Sequence, residues 1–89
     1  MPASAESVVR LPVDVDLHAR PAAVLVRTAM GFEATVQVFV ADRRADAKSL
    51  LAVLGLGALR GTALRLSADG PDADVALDAL VTCVAGLVE

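Results

Sequence analysis

The stretch Asp16-Leu17-His18-Ala19-Arg20-Pro21-Ala22-Ala23 contains the single histidine of the chain and stands before a helical pattern of apolar residues. Proline is favoured at the start of a helix because its missing N–H would have no partner there. We therefore predict that His18 lies at or next to a helix N-terminus. The first backbone N–H groups and the positive dipole end of such a helix bind anions, and Arg20 adds a permanent cation in the same turn. An imidazole nucleophile in this setting indicates a site for a phosphoryl group.

The helix that follows is predicted over Pro21 to Met30, with Gly31 as its C-cap. Apolar residues recur on one face at the i, i+3, i+4, i+7 spacing typical of a buried stripe. These core positions are Ala22, Leu25, Val26 and Ala29. The opposite face mixes basic, small and apolar side chains, namely Arg20, Ala23, Val24 and Arg27. We interpret this second stripe as part of a surface that binds a partner.

Two segments around this helix alternate with period two, as half-buried strands do. The first runs from Ser7 to Val13 and puts Val9, Leu11 and Val13 on one face. It is expected at a sheet edge, because Pro12 cannot donate a ladder hydrogen bond. The second runs from Glu33 to Val40. Its inward positions are Val36, Val38 and Val40, and its outward positions are Thr35, Gln37 and Phe39.

The second half of the chain again alternates between strand-like and helix-like patterns of apolar residues. A turn at 41–43 leads to a short return strand at 44–45, and Asp46 is predicted to cap a helix from Ala47 to about Leu54. The leucines of this helix point in too many directions for one buried face, so some should be exposed. A strand over 62–68, a turn at 69–71 and a helix over 72–88 complete the chain. The predicted core face of the last helix is Leu77, Leu80, Val81, Val84 and Val88.

The predicted order is therefore β-α-β-β-α-β-α, an α+β fold with two layers in which helices cover one face of an antiparallel sheet. Residues 1–89 are expected to form a single domain, because 89 residues suffice for one small core. The composition is 56% hydrophobic but only 2% aromatic, so the core must consist of Ala, Val and Leu packed closely.

Charge and composition narrow the class of partner. The net charge is −3 and the calculated isoelectric point is 4.9, which disfavours nucleic acid and anionic membranes and favours another protein. No apolar run approaches a membrane span and the amino terminus does not resemble a signal peptide, so a cytoplasmic location is expected. One cysteine and one histidine make no zinc set, and we expect neither metal nor cofactor. Cys83 is predicted to be a buried small hydrophobe.

The motif and the element order together resemble the HPr family, the histidine-containing phosphocarrier proteins of the bacterial phosphoenolpyruvate:sugar phosphotransferase system. Three blocks carry the resemblance: the Leu-His-Ala-Arg-Pro-Ala-Ala run at 17–23, the segment at 47–57, and the Gly-Thr-Ala-Leu-Arg-Leu-Ser-Ala-Asp-Gly run at 61–70. It implies a four-stranded antiparallel sheet backed by three helices. It also implies that His18 accepts a phosphoryl group on Nδ1 from enzyme I and passes it to a IIA component for sugar uptake. Such a protein is a transiently phosphorylated carrier without enzymatic turnover.

The resemblance assigns further residues. Arg20 and the backbone N–H of Ala19 would stabilise the phosphoryl group, and Ser49 matches a serine that a dedicated kinase modifies in some bacteria. A serine near a helix start is also commonly a plain surface residue, and that reading stays open. In a chain this small, exposed leucines near the active turn indicate a docking site. The expected partner-binding residues are Ala23, Val24, Arg27, Leu50, Leu51 and Leu54. We expect a monomer.

The chain departs from the family pattern immediately before His18. Most relatives have glycine at the position of Asp16 and Asn or Ser at that of Val15. Glycine would ease an unusual turn that Asp tolerates less well, and the added negative charge would repel an incoming phosphate. A regulatory domain that only binds proteins, or a specialised branch for dihydroxyacetone or nitrogen phosphorelay, is therefore the alternative. A hydrolase is disfavoured, because there is no Ser-His-Asp constellation.

Overall fold

The computed structural model describes residues 3–88, and these form strands and helices in the predicted β-α-β-β-α-β-α order. The strands are β1 (Ala3–Arg10), β2 (Thr35–Val40), β3 (Arg43–Asp46) and β4 (Ala63–Gly70). The helices are α1 (Ala19–Met30), α2 (Leu50–Gly55) and α3 (Ala73–Ala85).

The strands form one antiparallel sheet in the order β1-β4-β2-β3. Alternate side chains of β2 and β4 are buried, namely Val36, Val38, Leu64, Leu66 and Ala68. Val40, which was also predicted to face inward, is half-buried against the core. The side chains between them, such as Arg65, face the side of the sheet that no helix covers. The α+β fold with helices on one face is thus confirmed.

Helix α1 lies in the middle of the helical layer, with contacts to both α2 and α3. Its four predicted core positions are all buried. The core face of α3 is confirmed in part: Leu77, Leu80 and Val84 are buried, and Val81 is half-buried. The placement of Val88 in the core is wrong, because the helix ends before the Gly86 C-cap and Leu87 is buried instead.

The prediction for the first strand is correct in position but wrong in range. β1 lies at the sheet edge as expected, but it ends at Arg10, before Pro12. A turn closed by the Val15 N–H donating to the Pro12 carbonyl (3.2 Å) follows. This turn breaks the alternation, so Leu11 is buried while Val13 is 85% exposed.

The start of α2 also differs from the prediction. Asp46 does not cap this helix, because it still pairs with Gln37 in the sheet, and its carboxylate accepts the backbone N–H of Lys48 (2.9 Å). The N-cap is Ser49, whose hydroxyl oxygen accepts the N–H of Ala52 (3.2 Å). The helix is therefore shorter than predicted and begins at Leu50.

The turn after β4 depends on a glycine and an aspartate. Gly70 has φ +147°, and a Cβ there would lie 2.9 Å from the Ala34 Cα, so a side chain would collide with backbone. Asp72 was predicted as the first residue of the last helix, but α3 begins at Ala73, and the Asp72 carboxylate makes no capping hydrogen bond to it. It accepts the N–H groups of Glu33 (2.9 Å) and Ala34 (2.8 Å) instead, and so ties the start of α3 to the entry of β2.

Candidate functional site

His18 is the N-cap of α1 and its side chain is exposed. Its carbonyl accepts the N–H of Ala22 (2.8 Å), the first hydrogen bond of the helix. The N–H groups of Ala19 and Arg20 therefore have no acceptor within their own helix. Pro21 occupies the third helical position rather than the first, where its missing N–H costs nothing for the same reason. The structure thus places the imidazole at the positive end of α1, as the sequence predicted.

A tight turn presents His18 at this helix end. The His18 N–H donates to the Asp16 carbonyl (2.9 Å), which makes a γ-turn centred on Leu17. Leu17 and Val15 are buried and fix the turn to the core. Among residues 3–88, Ala41 is the single non-glycine residue with positive φ. The expectation that Asp16 needs a backbone conformation better suited to glycine is therefore wrong: hydrogen bonds and buried neighbours define the turn without it.

The carboxylate of Asp16 is paired. It accepts the backbone N–H of Arg60 (2.7 Å), the Nε–H (3.3 Å) and an Nη2–H (3.3 Å). These bonds from the Arg60 side chain and backbone hold the pKa of the Asp16 carboxyl below its usual range, and the charge of a protonated His18 adds to the effect. The negative charge beside His18 is thus offset by a cation from a distant part of the chain.

Arg20 lies in the first turn of α1 and is exposed. It forms no ion pair with an acidic side chain of residues 3–88, unlike Arg60 and Arg65. Its guanidinium is therefore available to an anion bound at the helix N-terminus. A guanidinium offers several N–H donors in a fixed plane, which suits phosphoryl oxygens.

The leucines of α2 differ in exposure. Leu51 is 83% exposed and Leu50 is 40% exposed, whereas Leu54 is half-buried against the core and Val53 is fully buried. The prediction that some of these leucines are exposed is confirmed. Ser49 stands at the start of this helix, half-buried and directly before the exposed pair.

The predicted stripe on α1 divides between two surroundings. Arg27 is exposed and Ala23 is half-buried. Val24 lines an open groove of about 380 Å³ between α1 and the end of α3, together with Thr28, Cys83, Gly86, Leu87 and Val88. The prediction that Cys83 is buried is wrong: the residue is half-buried, because this groove exposes it. The Thr28 hydroxyl donates to its sulfur (3.5 Å).

Sequence reasoning missed Arg60 and Leu59. Arg60 lies 44 residues from the carboxylate that it binds, and no local pattern signals such a contact. Leu59 precedes it in the loop between α2 and β4 and is 64% exposed. An apolar residue in a glycine-rich connection was the one available signal for it.

Within residues 3–88, no three His, Cys, Asp or Glu side chains cluster in a way that could hold a metal ion. None of the helices in the same range is long and apolar enough to cross a membrane.

Comparison with known proteins agrees with this geometry. A family model described as the phosphorylation site of the HPr component of the phosphotransferase system matches residues 5–86. The phosphocarrier protein HPr of Vibrio cholerae is 40% identical over 76 residues, which cover 85% of this chain and 89% of that protein. The HPr of Haloferax volcanii is 52% identical over 66 residues, covering 72% and 74% of the two chains.

Solved structures show the same fold. The crystal structure of the phosphocarrier protein HPr from Bacillus anthracis superposes with a TM-score of 0.87 at 30% identity, covering 92% of this chain and 98% of that one. An HPr structure from Thermoanaerobacter tengcongensis gives a TM-score of 0.85 at 35% identity, with 90% of each chain covered. The chain therefore belongs to the HPr family of phosphocarrier proteins of the phosphotransferase system.

Proposed function

We propose that this protein carries a phosphoryl group on His18 Nδ1, accepting it from enzyme I and passing it to the IIA component of a sugar transporter. Proteins of this family are carriers rather than classical enzymes. The observation that supports the proposal best is the position of His18, exposed at the N-cap of α1. An imidazole there can reach a donor protein while the helix end stabilises negative charge.

The transfer needs little from the protein beyond positioning and charge. The Nδ1 lone pair of neutral His18 attacks phosphorus, the bond from phosphorus to the donor breaks, and the donor keeps that electron pair. The phosphoryl oxygens carry their charge towards the N–H of Ala19 and the guanidinium of Arg20. Passing the group to the IIA component is the same displacement with phosphorylated His18 as the donor.

Partners would dock beside this site. The docking surface that we propose consists of Ala23, Val24 and Arg27 of α1 and Leu50, Leu51 and Leu54 of α2. Helices α1 and α2 are neighbours in the helical layer, so one partner can cover both. Apolar side chains supply the buried area and Arg27 adds charge complementarity to an acidic partner. We place the protein in the cytoplasm as a monomer, with Ser49 as the site of a serine kinase and phosphatase in hosts that have them.

The experiment is incubation with enzyme I and labelled phosphoenolpyruvate. The parent protein is expected to take up label that is labile to acid and stable to base, as a phosphohistidine is. His18→Ala should take up none, because the chain has no other imidazole. A melting curve checks that the variant is folded, since the exposed His18 side chain adds little packing. Retention of acid-labile label in the folded variant would overturn the proposal.

A further inference from the structure

The turn that presents His18 is held from outside by the loop between α2 and β4. The Leu17 N–H donates to the Ala58 carbonyl (2.9 Å), and the Gly61 N–H donates to the Pro12 carbonyl (3.2 Å). Between these two backbone bonds, Arg60 makes its three hydrogen bonds to Asp16. The loop therefore contacts both ends of the segment 12–17 and its carboxylate.

The same contact controls the charge beside the nucleophile. Asp16 is two residues from His18, and its side chain is 31% exposed, so its charge is only partly screened by water. Without a partner this carboxylate would repel the anionic phosphoryl group as it approaches the imidazole. Asp14 is also nearby in sequence, but it is exposed and makes no ion pair with the cations of residues 3–88. Arg60 is thus the cation that forms an ion pair with the Asp16 carboxylate.

We propose that Arg60 is a positioning residue for phosphoryl transfer, which acts through Asp16 by cancelling the charge of that carboxylate beside His18. This inference rests on the proposed function of His18. It accounts for how the chain accommodates an acidic residue two positions before His18. Arg60 acts through Asp16 and is not itself assigned contact with the phosphoryl group.

The test uses phosphoramidate, a small anionic donor that needs no docking surface. His18 Nδ1 attacks its phosphorus and the P–N bond breaks; the donor nitrogen is already protonated in this zwitterion, so it leaves as ammonia with the electron pair of that bond. The initial rate of phosphorylation, followed by mass spectrometry at low salt, is compared for the parent, Arg60→Ala, Asp16→Asn and the double variant. Removing the cation should slow the reaction about threefold, as expected for one unit charge at short range in a mostly aqueous setting.

The opposite change should have the opposite effect. Asp16→Asn keeps an oxygen that accepts the Arg60 N–H but loses the negative charge, so it should react about threefold faster. The double variant should react at nearly the parent rate. Melting temperatures should change little, because an ion pair with side chains 61% and 31% exposed adds little stability.

Arg65→Ala is the matched control. Arg65 also forms a surface ion pair, with Glu6 (3.2 Å), but it lies on the open face of the sheet, away from His18. It changes the net charge as Arg60→Ala does and should leave the rate unchanged. High salt should reduce the differences among the Arg60 and Asp16 variants, because it screens exposed charges.

An electrostatic role and a merely structural role of the Arg60–Asp16 pair predict different orders of the phosphorylation rates among the variants. If the pair were merely structural, both single variants would slow the reaction and the double variant would not recover, and that result would overturn the inference. Equal slowing by Arg65→Ala would overturn it as well. If enzyme I fails to phosphorylate a parent protein that reacts with phosphoramidate, the proposed function fails, while the rate order still decides the role of Arg60.

Discussion

Ser49 offers the sharpest separation of a structural role from a functional one. Its hydroxyl oxygen accepts the Ala52 N–H (3.2 Å) as the cap of α2, and it immediately precedes the exposed Leu50 and Leu51. Two substitutions divide these roles. Ser49→Ala removes the cap without adding charge, whereas Ser49→Asp keeps a capping oxygen and adds a negative charge at the edge of the proposed docking surface.

The expected magnitudes follow from the two environments. Loss of a serine cap costs about 1 kcal/mol, which lowers the melting temperature of a domain this size by about 4–8 °C. Aspartate caps equally well and is favoured by the helix dipole, so Ser49→Asp should be at least as stable as the parent. A partner that covers Leu50 and Leu51 must partly desolvate the new charge. A cost of a few kcal/mol corresponds to an apparent KM for enzyme I raised about a hundredfold.

The assay is steady-state phosphorylation by enzyme I beside a thermal melt of each variant. Val75→Asp is the control, because it adds the same charge in the first turn of α3 at a position 62% exposed and outside the docking surface. Ser49→Asp should raise KM and leave the melting temperature unchanged or slightly higher. Ser49→Ala should lower the melting temperature and leave KM unchanged. An unchanged KM for Ser49→Asp would place Ser49 outside the docking surface and refute its regulatory assignment.

Three further predictions test the site and its support. Arg20→Ala should slow phosphoryl transfer roughly tenfold to a hundredfold, because its guanidinium would stabilise the phosphoryl oxygens. The melting temperature should not change, because the side chain is exposed. An unchanged rate would mean that the helix N–H groups suffice. Leu51→Ala should weaken enzyme I binding with little effect on the melting temperature, whereas Leu54→Ala should also lower the melting temperature because that side chain packs on the core. Calorimetry measures the melting temperatures and titration with enzyme I measures the affinities. Equal melting temperatures of the two variants would contradict the difference in burial. The N–H groups of Glu33 and Ala34 lower the pKa of Asp72 below 3.8, so its ionised form stabilises the folded state above that pH and the benefit disappears as the carboxyl protonates. Asp72→Asn should therefore have a lower melting temperature than the parent at neutral pH and the same melting temperature well below pH 3.8. A difference in melting temperature that persists in acid would show that the charge of Asp72 does not cause the stabilisation.

The elements that the sequence predicted correctly are those whose signal is local. The apolar stripe of α1 and the alternation of β2 and β4 identified the buried residues, because side chains on one face recur at the period of the element. The position of His18 at a helix start followed from Pro21 and the apolar residues after it. The residues around His18 indicated a phosphoryl site, and the resemblance to a family added the partners and the direction of transfer, which periodicity does not contain.

The cap of α2 predicted at Asp46 is wrong, and the partners of Asp72 were not predicted. Asp46 and Asp72 both precede helices, and a carboxylate there is a good cap by propensity. Asp46 instead ends β3, and Asp72 binds backbone N–H groups 38 and 39 residues away. The choice between a local and a distant donor depends on which N–H groups the fold brings close to the carboxylate, and that is a property of the assembled sheet and helices.

Strand and helix periods, the helix start at His18 and the exposed arginine beside it are thus determined by the sequence, since each depends on neighbours within one or two turns. The strand order β1-β4-β2-β3 and the contact of Arg60 with Asp16 are decided by the tertiary structure alone. Both depend on segments that meet only when the core closes. The net charge beside His18 is therefore a product of the fold, because the sequence places the Asp16 carboxylate near His18 and the Arg60 cation comes from 44 residues away.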